Sequence, residues 1–296
     1  MIIPALAPLF VGPLADWQDA LVLTTGGRPV ISLAPLLDDD PGELARCIAH
    51  FGRNHPAGDR RALASEWSKR YFVRLLPPVL AAALVLDHGL PLRAADIDLV
   101  LDEDGAPVAF KLPGAGGPAE GALDSSCGGG SGSACTVPPP GGALTRLTPL
   151  IDDHLAPVIA ALSAYSRLSP RVFWSNAGNY VEAVVRVLAD RGNEPADAAD
   201  HRGAARVLDV VDRPYRPDGK ANPFFNTVRY RDVSDGLPMD RHAGDDLVMS
   251  PAVDRRWRQR RVCCVRYLLP AQPLCGNCPL LSAPPPSAPQ GVPTAP

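Results

Sequence analysis

Cys263-Cys264 and Cys275-Gly276-Asn277-Cys278-Pro279 gather four of the chain's seven cysteines into one short stretch, spaced C-C-x10-C-x2-C. Free cysteines often serve as small buried hydrophobes, but four of them with a C-x-x-C included point to chemistry. Three kinds are open: a metal site, a disulfide and a redox dithiol. Gly276 and Asn277 tolerate positive φ, so the turn between Cys275 and Cys278 is expected to face both thiolates to one side, with Pro279 stopping it. A thioredoxin-like dithiol needs a βαβ context, and none surrounds this motif. Adjacent side chains in an extended chain point to opposite faces, so Cys263 and Cys264 converge on one zinc ion only with distortion. Zinc sites usually space each ligand pair by two or more residues. Four thiolates are the set that iron–sulfur clusters require, and a two-iron cluster does not ask them to meet at one ion. Iron–sulfur is therefore the expectation, with zinc and a disulfide as the alternatives.

Around these cysteines the chain resembles the FhuF-type ferric siderophore reductases, through Arg261, Cys263, Cys264, Arg266, Tyr267, Cys275, Cys278 and Pro279. A weaker similarity runs upstream through Phe173-Trp174-Ser175-Asn176-Ala177 and the 99–112 hairpin. The resemblance implies a [2Fe-2S] cluster on Cys263, Cys264, Cys275 and Cys278. It also implies an oxidoreductase that reduces siderophore-bound Fe(III) to Fe(II) in the cytoplasm. Similarity to the C-terminal part of the hydroxamate siderophore synthetases comes with it, and a hydroxamate-type ferric siderophore as substrate. Trp174 and Asn176 become candidates for docking the substrate or neighbouring the cluster, and Arg260, Arg261 and Arg266 for docking substrate or electron donor. A non-catalytic cluster-binding or sensing module and a zinc-stapled structural protein are the competing functions.

The rest of the chain must position these groups. At 31.3 kDa it can bury a sizeable core. A net charge of −3 exerts no general pull toward nucleic acid or anionic membrane. Residues 1–17 are apolar but lack a basic leader region and are broken by Pro4, Pro8 and Pro13, unlike a signal peptide. The longest apolar run, 75–86, is too short to span a bilayer. A cytoplasmic protein is expected, where thiolates stay available to metal. Peripheral contact with the inner membrane stays open, since siderophore uptake occurs there and no anchor is visible.

The expected fold is α+β and helix-rich, with a small antiparallel sheet and a C-terminal iron–sulfur cysteine module. Five segments are expected: an N-terminal helical segment with a β-hairpin (1–112), a flexible Gly/Pro-rich insert (113–143), a helical and loop region (144–262), the cluster module (263–281) and a disordered tail (282–296). Asp40-Pro41 predicts a helix start, running to about Gly52. Asp59 predicts another helix over 60–75, with Trp67, Tyr71 and Leu75 as core; Pro77 should interrupt it, and Gly89 should end the helix that Pro78 restarts. Trp67, Arg70 and Tyr71 are candidate pocket residues on that helix, with core packing favoured for its apolar face. Residues 97–101 and 107–112 around a glycine-bearing loop predict a hairpin, with 22–33 and 226–233 as further strands.

Within the insert, Gly114-Ala-Gly116-Gly-Pro-Ala119 scans as a dinucleotide fingerprint, but no helix follows to hold a phosphate. Cys127 and Cys135 there are expected bystanders, and Cys47 on the first helix is expected to be a packing residue. Thr148-Pro149 predicts a helix that Pro157 kinks, Ser169-Pro170 another with a 173/177/181/184/188 stripe ending at Gly192, and 198–211 a further one. Residues 212–251, including His242, read as irregular. The scattered histidines make no metal site or triad, and neither a nucleophile elbow nor a P-loop is present. The chemistry expected needs no general acid or nucleophile, and with no credible flavin or nicotinamide site the electron should come from an external ferredoxin or flavoprotein, or a reduced carrier. Five arginines in 254–261 are readable as a solvated face, as cations raising the cluster potential, or as a guide for an acidic donor.

Overall fold

The longest helix, α2 (Arg60–Val85), runs through the middle of the protein in this computed structural model, which describes residues 3–38, 42–118, 142–191, 207–232, 256–270 and 272–283. Asp59 caps it: the carboxylate accepts the Arg61 N–H at 2.8 Å. Apolar and small side chains lie all round it, from Ala62 to Ala83, so it is buried on several faces rather than along one stripe. Pro77 and Pro78 do not interrupt it, contrary to expectation. A proline at 77 removes the N–H that would bond the Val73 carbonyl, and Trp17 Nε1 donates to that carbonyl instead, at 2.7 Å. With the carbonyl satisfied and both rings buried, the helix continues. Its left-handed terminal residue is Asp87 (φ 50°), not Gly89, which lies in a short strand.

Before α2, two 3₁₀ turns (Pro4–Leu9 and Gly12–Trp17) place Leu6, Leu9, Leu14 and Trp17 in the core, and α1 (Gly42–Phe51) adds Leu44, Cys47, Ile48 and Phe51. Cys47 is thus the packing residue expected. The Asp40-Pro41 start lies outside the described residues. The hairpin forms as β4 (Asp98–Leu101) and β5 (Pro107–Lys111), with Asp98 opposite Lys111 and their side chains ion-paired at 2.8 Å. β2 (Val30–Ser32) joins β4 antiparallel, while β1 (Leu21–Val22) joins the other edge beside β5 in parallel, giving the order β1-β5-β4-β2. At the hairpin turn, Gly105 has φ 78°, and a Cβ there would lie 2.9 Å from the Phe51 nitrogen. Its carbonyl accepts the Trp67 indole N–H at 3.2 Å, which docks the turn onto α1 and α2.

The start of the expected flexible insert is ordered: β6 (Gly117–Pro118) pairs with β3 (His88–Gly89). Gly114 lies in a bend and Gly116 has φ 74° just before β6, and residues 119–141, including Ala119, Cys127 and Cys135, are outside the described residues. α3 (Ala143–Arg146) leads into a π-helical turn, Pro149–Leu155, and α4 (Ala156–Ser166) begins where Pro157 was expected to disturb the helix. α5 (Pro170–Arg191) buries Phe173, Ala177, Val181, Val184 and Leu188 against α2, as its spacing predicts. Of the helix expected over 198–211, residues 207–212 are helical and the remainder is not described. His242 and the 284–296 tail are likewise outside.

The segment 213–225 is irregular but well packed. Buried Arg216 is held by Asp152 at 2.9 Å and by Asp218 at 3.0 Å. One hydrophobic core runs from Ile3 to Phe224, so the segments before and after the insert share it. The last hairpin pairs β7 (Val228–Asp232) with β8 (Arg256–Arg260) antiparallel, Tyr230 opposite Arg258. It stands against α5 where Gly178 lets it approach: a Cβ on Gly178 would lie 2.5 Å from Thr227 Cγ2. No helix among the described residues is long and apolar enough to cross a membrane.

Candidate metal centre

β8 builds the platform on which the cysteines sit. Its backbone Arg260 N–H donates to the Asn277 carbonyl at 2.9 Å, and the Trp257 indole N–H to the Gly276 carbonyl at 3.2 Å. The buried Gln259 amide reaches both the Cys278 and Leu281 carbonyls at 2.9 Å. Four bonds from three residues of one strand, Trp257, Gln259 and Arg260, thus clamp the Cys275–Cys278 turn and the chain just after it. The turn itself closes through Cys278 N–H to the Cys275 carbonyl at 3.0 Å. Neither Gly276 nor Asn277 has positive φ, contrary to expectation. The left-handed residue at the site is Val265, at φ 54°, an uncommon conformation for a β-branched side chain. It swings the chain after the cysteine pair so that the Val265 N–H faces Cys263 Sγ at 3.4 Å.

The fold brings all four predicted cysteines to this place. Cys264, Cys275 and Cys278 are buried in mutual contact beside Leu274 and Leu281, and Cys263 is partly exposed. Cys264 Sγ and Cys275 Sγ are 3.1 Å apart, and all four are free thiols. No group of three or more acidic, histidine or cysteine side chains among the described residues is already arranged round one metal-ion point. Four free thiols in one module are the donor set that a [2Fe-2S] cluster takes.

The hydrogen bond shared by Cys264 and Cys275 favours thiolate at Cys264 and thiol at Cys275, and burial raises both Cys275 and Cys263. The hydrogen bond from Cys275 holds Cys264 well below the usual thiol range against the opposing effect of burial, and the charges of Lys69 and Arg260 push the same way. Lys69 is 4% exposed. Its Nζ bridges Glu66 Oε1 at 2.6 Å and Cys275 Sγ at 3.5 Å.

The five other nominated residues separate. Asn176 is fully buried, not solvated: its amide nitrogen donates to Ser65 and Ser68 on α2, and its oxygen accepts from Arg260. Asn176 therefore ties α5, α2 and β8 together directly behind the cysteines, where no docked molecule touches it. Arg260 is 1% exposed. Trp174 is half-buried with its ring edge-on to Phe224. Arg261 is exposed, and its backbone N–H donates to the Thr227 carbonyl. Arg266 is half-buried, donates to Gln272 Oε1 at 2.8 Å and lies 3.9 Å from Glu66 Oε2.

The arginine-rich strand is not a simple solvated face. Arg258 pairs at 2.5 Å with buried Glu182, which also accepts from Arg186 and Tyr230. Burial works to raise the Glu182 pKa, but Arg258 and these hydrogen bonds hold it below the usual carboxylate value. On α2, Trp67 and Tyr71 are core, while Arg70 faces solvent.

Sequence reasoning missed Lys69, Glu66, Gln259 and Val265. For Lys69 there was a signal: a lysine among Ala62, Ala64, Tyr71 and Phe72, on a helix with no polar face wide enough to hold it.

The chain matches the family model described as ferric iron reductase FhuF-like transporter over residues 65–237, and that of the FhuF 2Fe-2S C-terminal domain over residues 260–280. It is 25% identical over 276 residues to the ferric siderophore reductase of Escherichia coli (strain K12), covering 93% of this chain and 81% of that protein. Among solved structures it is similar to ATP-bound aerobactin synthetase IucA from a hypervirulent pathotype of Klebsiella pneumoniae. That likeness has 19% identity and a TM-score of 0.44, and covers 67% of this chain and 37% of the other. The score is too low for topologies to be compared.

Proposed function

Because the chain belongs to the FhuF-like ferric iron reductase family, we infer that it reduces siderophore-bound Fe(III) to Fe(II), with Cys263, Cys264, Cys275 and Cys278 holding its [2Fe-2S] cluster. The observation that carries the ligand assignment is the gathering of these four thiols over β8, with a buried lysine against one of them. When bound, the cluster supplies a one-electron donor for the siderophore iron. Hard oxygen ligands hold Fe(III) far better than the softer, less charged Fe(II), so adding one electron loosens the chelate and frees the metal.

The chain's own residues set the conditions for that transfer. Lys69 and Arg260 place positive charge against the thiolates, which stabilises the more negative, reduced form. Leu274 and Leu281 shield three of the thiols from water. Cys263, the partly exposed ligand, and exposed Arg261 give an acidic ferredoxin or flavoprotein a face on which to deliver electrons. A hydroxamate siderophore and a cytoplasmic location belong to the same proposal.

The test is anaerobic purification with iron, sulfide and zinc analysis, then EPR after chemical reduction. Two irons and two sulfides per chain, with a reduced signal that disappears on adding a ferric trihydroxamate, are expected. A colourless protein with one zinc would overturn the reading.

A further inference from the structure

Beside the cysteines lies a cleft of about 1000 Å³. Five separate parts of the chain wall it: residues 15–19, the end of α1 and the turn after it through Phe51 and His55, α2 through Glu66 and Arg70, the β4–β5 loop, and the stretch after the cysteine pair through Arg266 and Gln272. Resting on the reductase reading, we propose that this cleft is the docking site of the ferric siderophore, with the chelated iron facing the Glu66–Arg266 wall.

Position is the first argument. Glu66 lines the cleft, and a single nitrogen, Lys69 Nζ, stands between its carboxylate and Cys275 Sγ. Arg266, on the same wall, is two residues beyond Cys264. A chelate seated there is separated from the cluster ligands by one layer of side chains. No other nominated docking residue borders it: Trp174, Asn176, Arg260 and Arg261 all lie elsewhere.

Size and charge are the second. The volume is that of a site for a ligand of several hundred daltons. Five carboxylate residues and three arginines line it, a balance that suits a neutral or singly cationic chelate and opposes a trianionic one. Hydroxamates lose one proton each on binding, so three of them exactly neutralise Fe(III), and a free amine on the chain makes the complex cationic. Three catecholates leave three negative charges. In the transfer, one electron passes from the reduced cluster to Fe(III), giving Fe(II) and the oxidised cluster, and the external donor restores the electron.

The experiment uses the cluster-loaded protein and a redox-inert probe, the singly cationic gallium(III) complex of desferrioxamine B, followed by fluorescence, since Trp17 lines the cleft. Asp19 and Asp104 are exposed and line the cleft from separate parts of the chain, so the double variant D19K/D104K is expected to fold. It should bind the gallium complex at least tenfold more weakly and raise the KM for the iron complex by a similar factor. A gallium tris-catecholate should bind it more tightly than the wild type. The reduced EPR signal should not move, and R171E, an exposed residue in the first turn of α5 that does not line the cleft, should behave as the wild type. Equal binding and equal KM in D19K/D104K and wild type would overturn the cleft while leaving the reductase intact. A wild type that binds the gallium complex through these residues but reduces no ferric chelate would sink the reductase reading and keep the binding site.

Discussion

Lys69 Nζ lies 3.5 Å from Cys275 Sγ, joining positions 206 residues apart, and both side chains are buried. A cation held this close to a cluster thiolate favours the state with one more electron. Lys69→Met should therefore lower the reduction potential, shifting the reduction equilibrium about tenfold, or about 59 mV for a one-electron couple. A redox titration followed by EPR measures it. An unchanged potential would mean that Glu66 already cancels the lysine charge at the cluster.

Asn176 gives a second prediction, because it is the acceptor for a buried guanidinium. Asn176→Leu keeps the volume but leaves Arg260 without that oxygen and Ser65 and Ser68 without their donor. Removing one partner of a buried charged hydrogen bond costs about 2–3 kcal/mol. Denaturant unfolding of the cluster-loaded protein should show a loss of this size, with a shorter cluster lifetime in air. If Asn176 instead touches substrate, KM would rise with stability unchanged.

Cysteines separate by role. Cys275→Ser and Cys278→Ser should abolish colour and the EPR signal. Cys47→Ala should retain full iron and sulfide while losing about 1 kcal/mol of stability, since only a buried sulfur is deleted. Burial pushes the Cys47 thiol up to about 12, so a thiol reagent should leave it unmodified in the folded protein.

His154 predicts an acid-sensitive fold. Its Nδ1–H donates to the Leu92 carbonyl at 2.9 Å, which leaves Nε2 to accept from the Tyr71 hydroxyl at 2.6 Å. Complete burial lowers its pKa to about 4 from 6.5, the Leu92 bond opposing weakly. The neutral ring is the one that fits, so its contribution is whole above pH 6.5 and is lost as pH falls toward 4. The full loss is about 3 kcal/mol. Urea midpoints from pH 7 to 4 should fall with this slope, and His154→Gln, which cannot charge, should flatten it. An equal slope in the variant would assign the sensitivity to other groups.

Several features were legible without any structure because their causes are local. The 97–112 hairpin follows from strand alternation around a glycine turn. The 173–188 stripe follows from the helical repeat, and the Asp59 cap from one side chain and the next N–H groups. The four cysteines were readable for the same reason, since their spacing alone limits which metals they hold. The rule that proline breaks a helix failed at Pro77 because the rescuing donor, Trp17, stands 56 positions away. Asn176 could be read as a docking residue because its three partners come from two other elements, out of sight along the chain.

The sequence by itself nominated the four cysteines, much of the helix and hairpin pattern and, through its resemblance, the kind of reaction. Tertiary structure alone decided which cations face the cluster, which nominated residues are buried, and that Glu66 and Arg266 share a cleft wall beside it. Spacing along the chain is a local property, whereas burial and charge pairing depend on what the folded chain brings alongside. Lys69 is an ordinary helix residue until α2 lays it against Cys275.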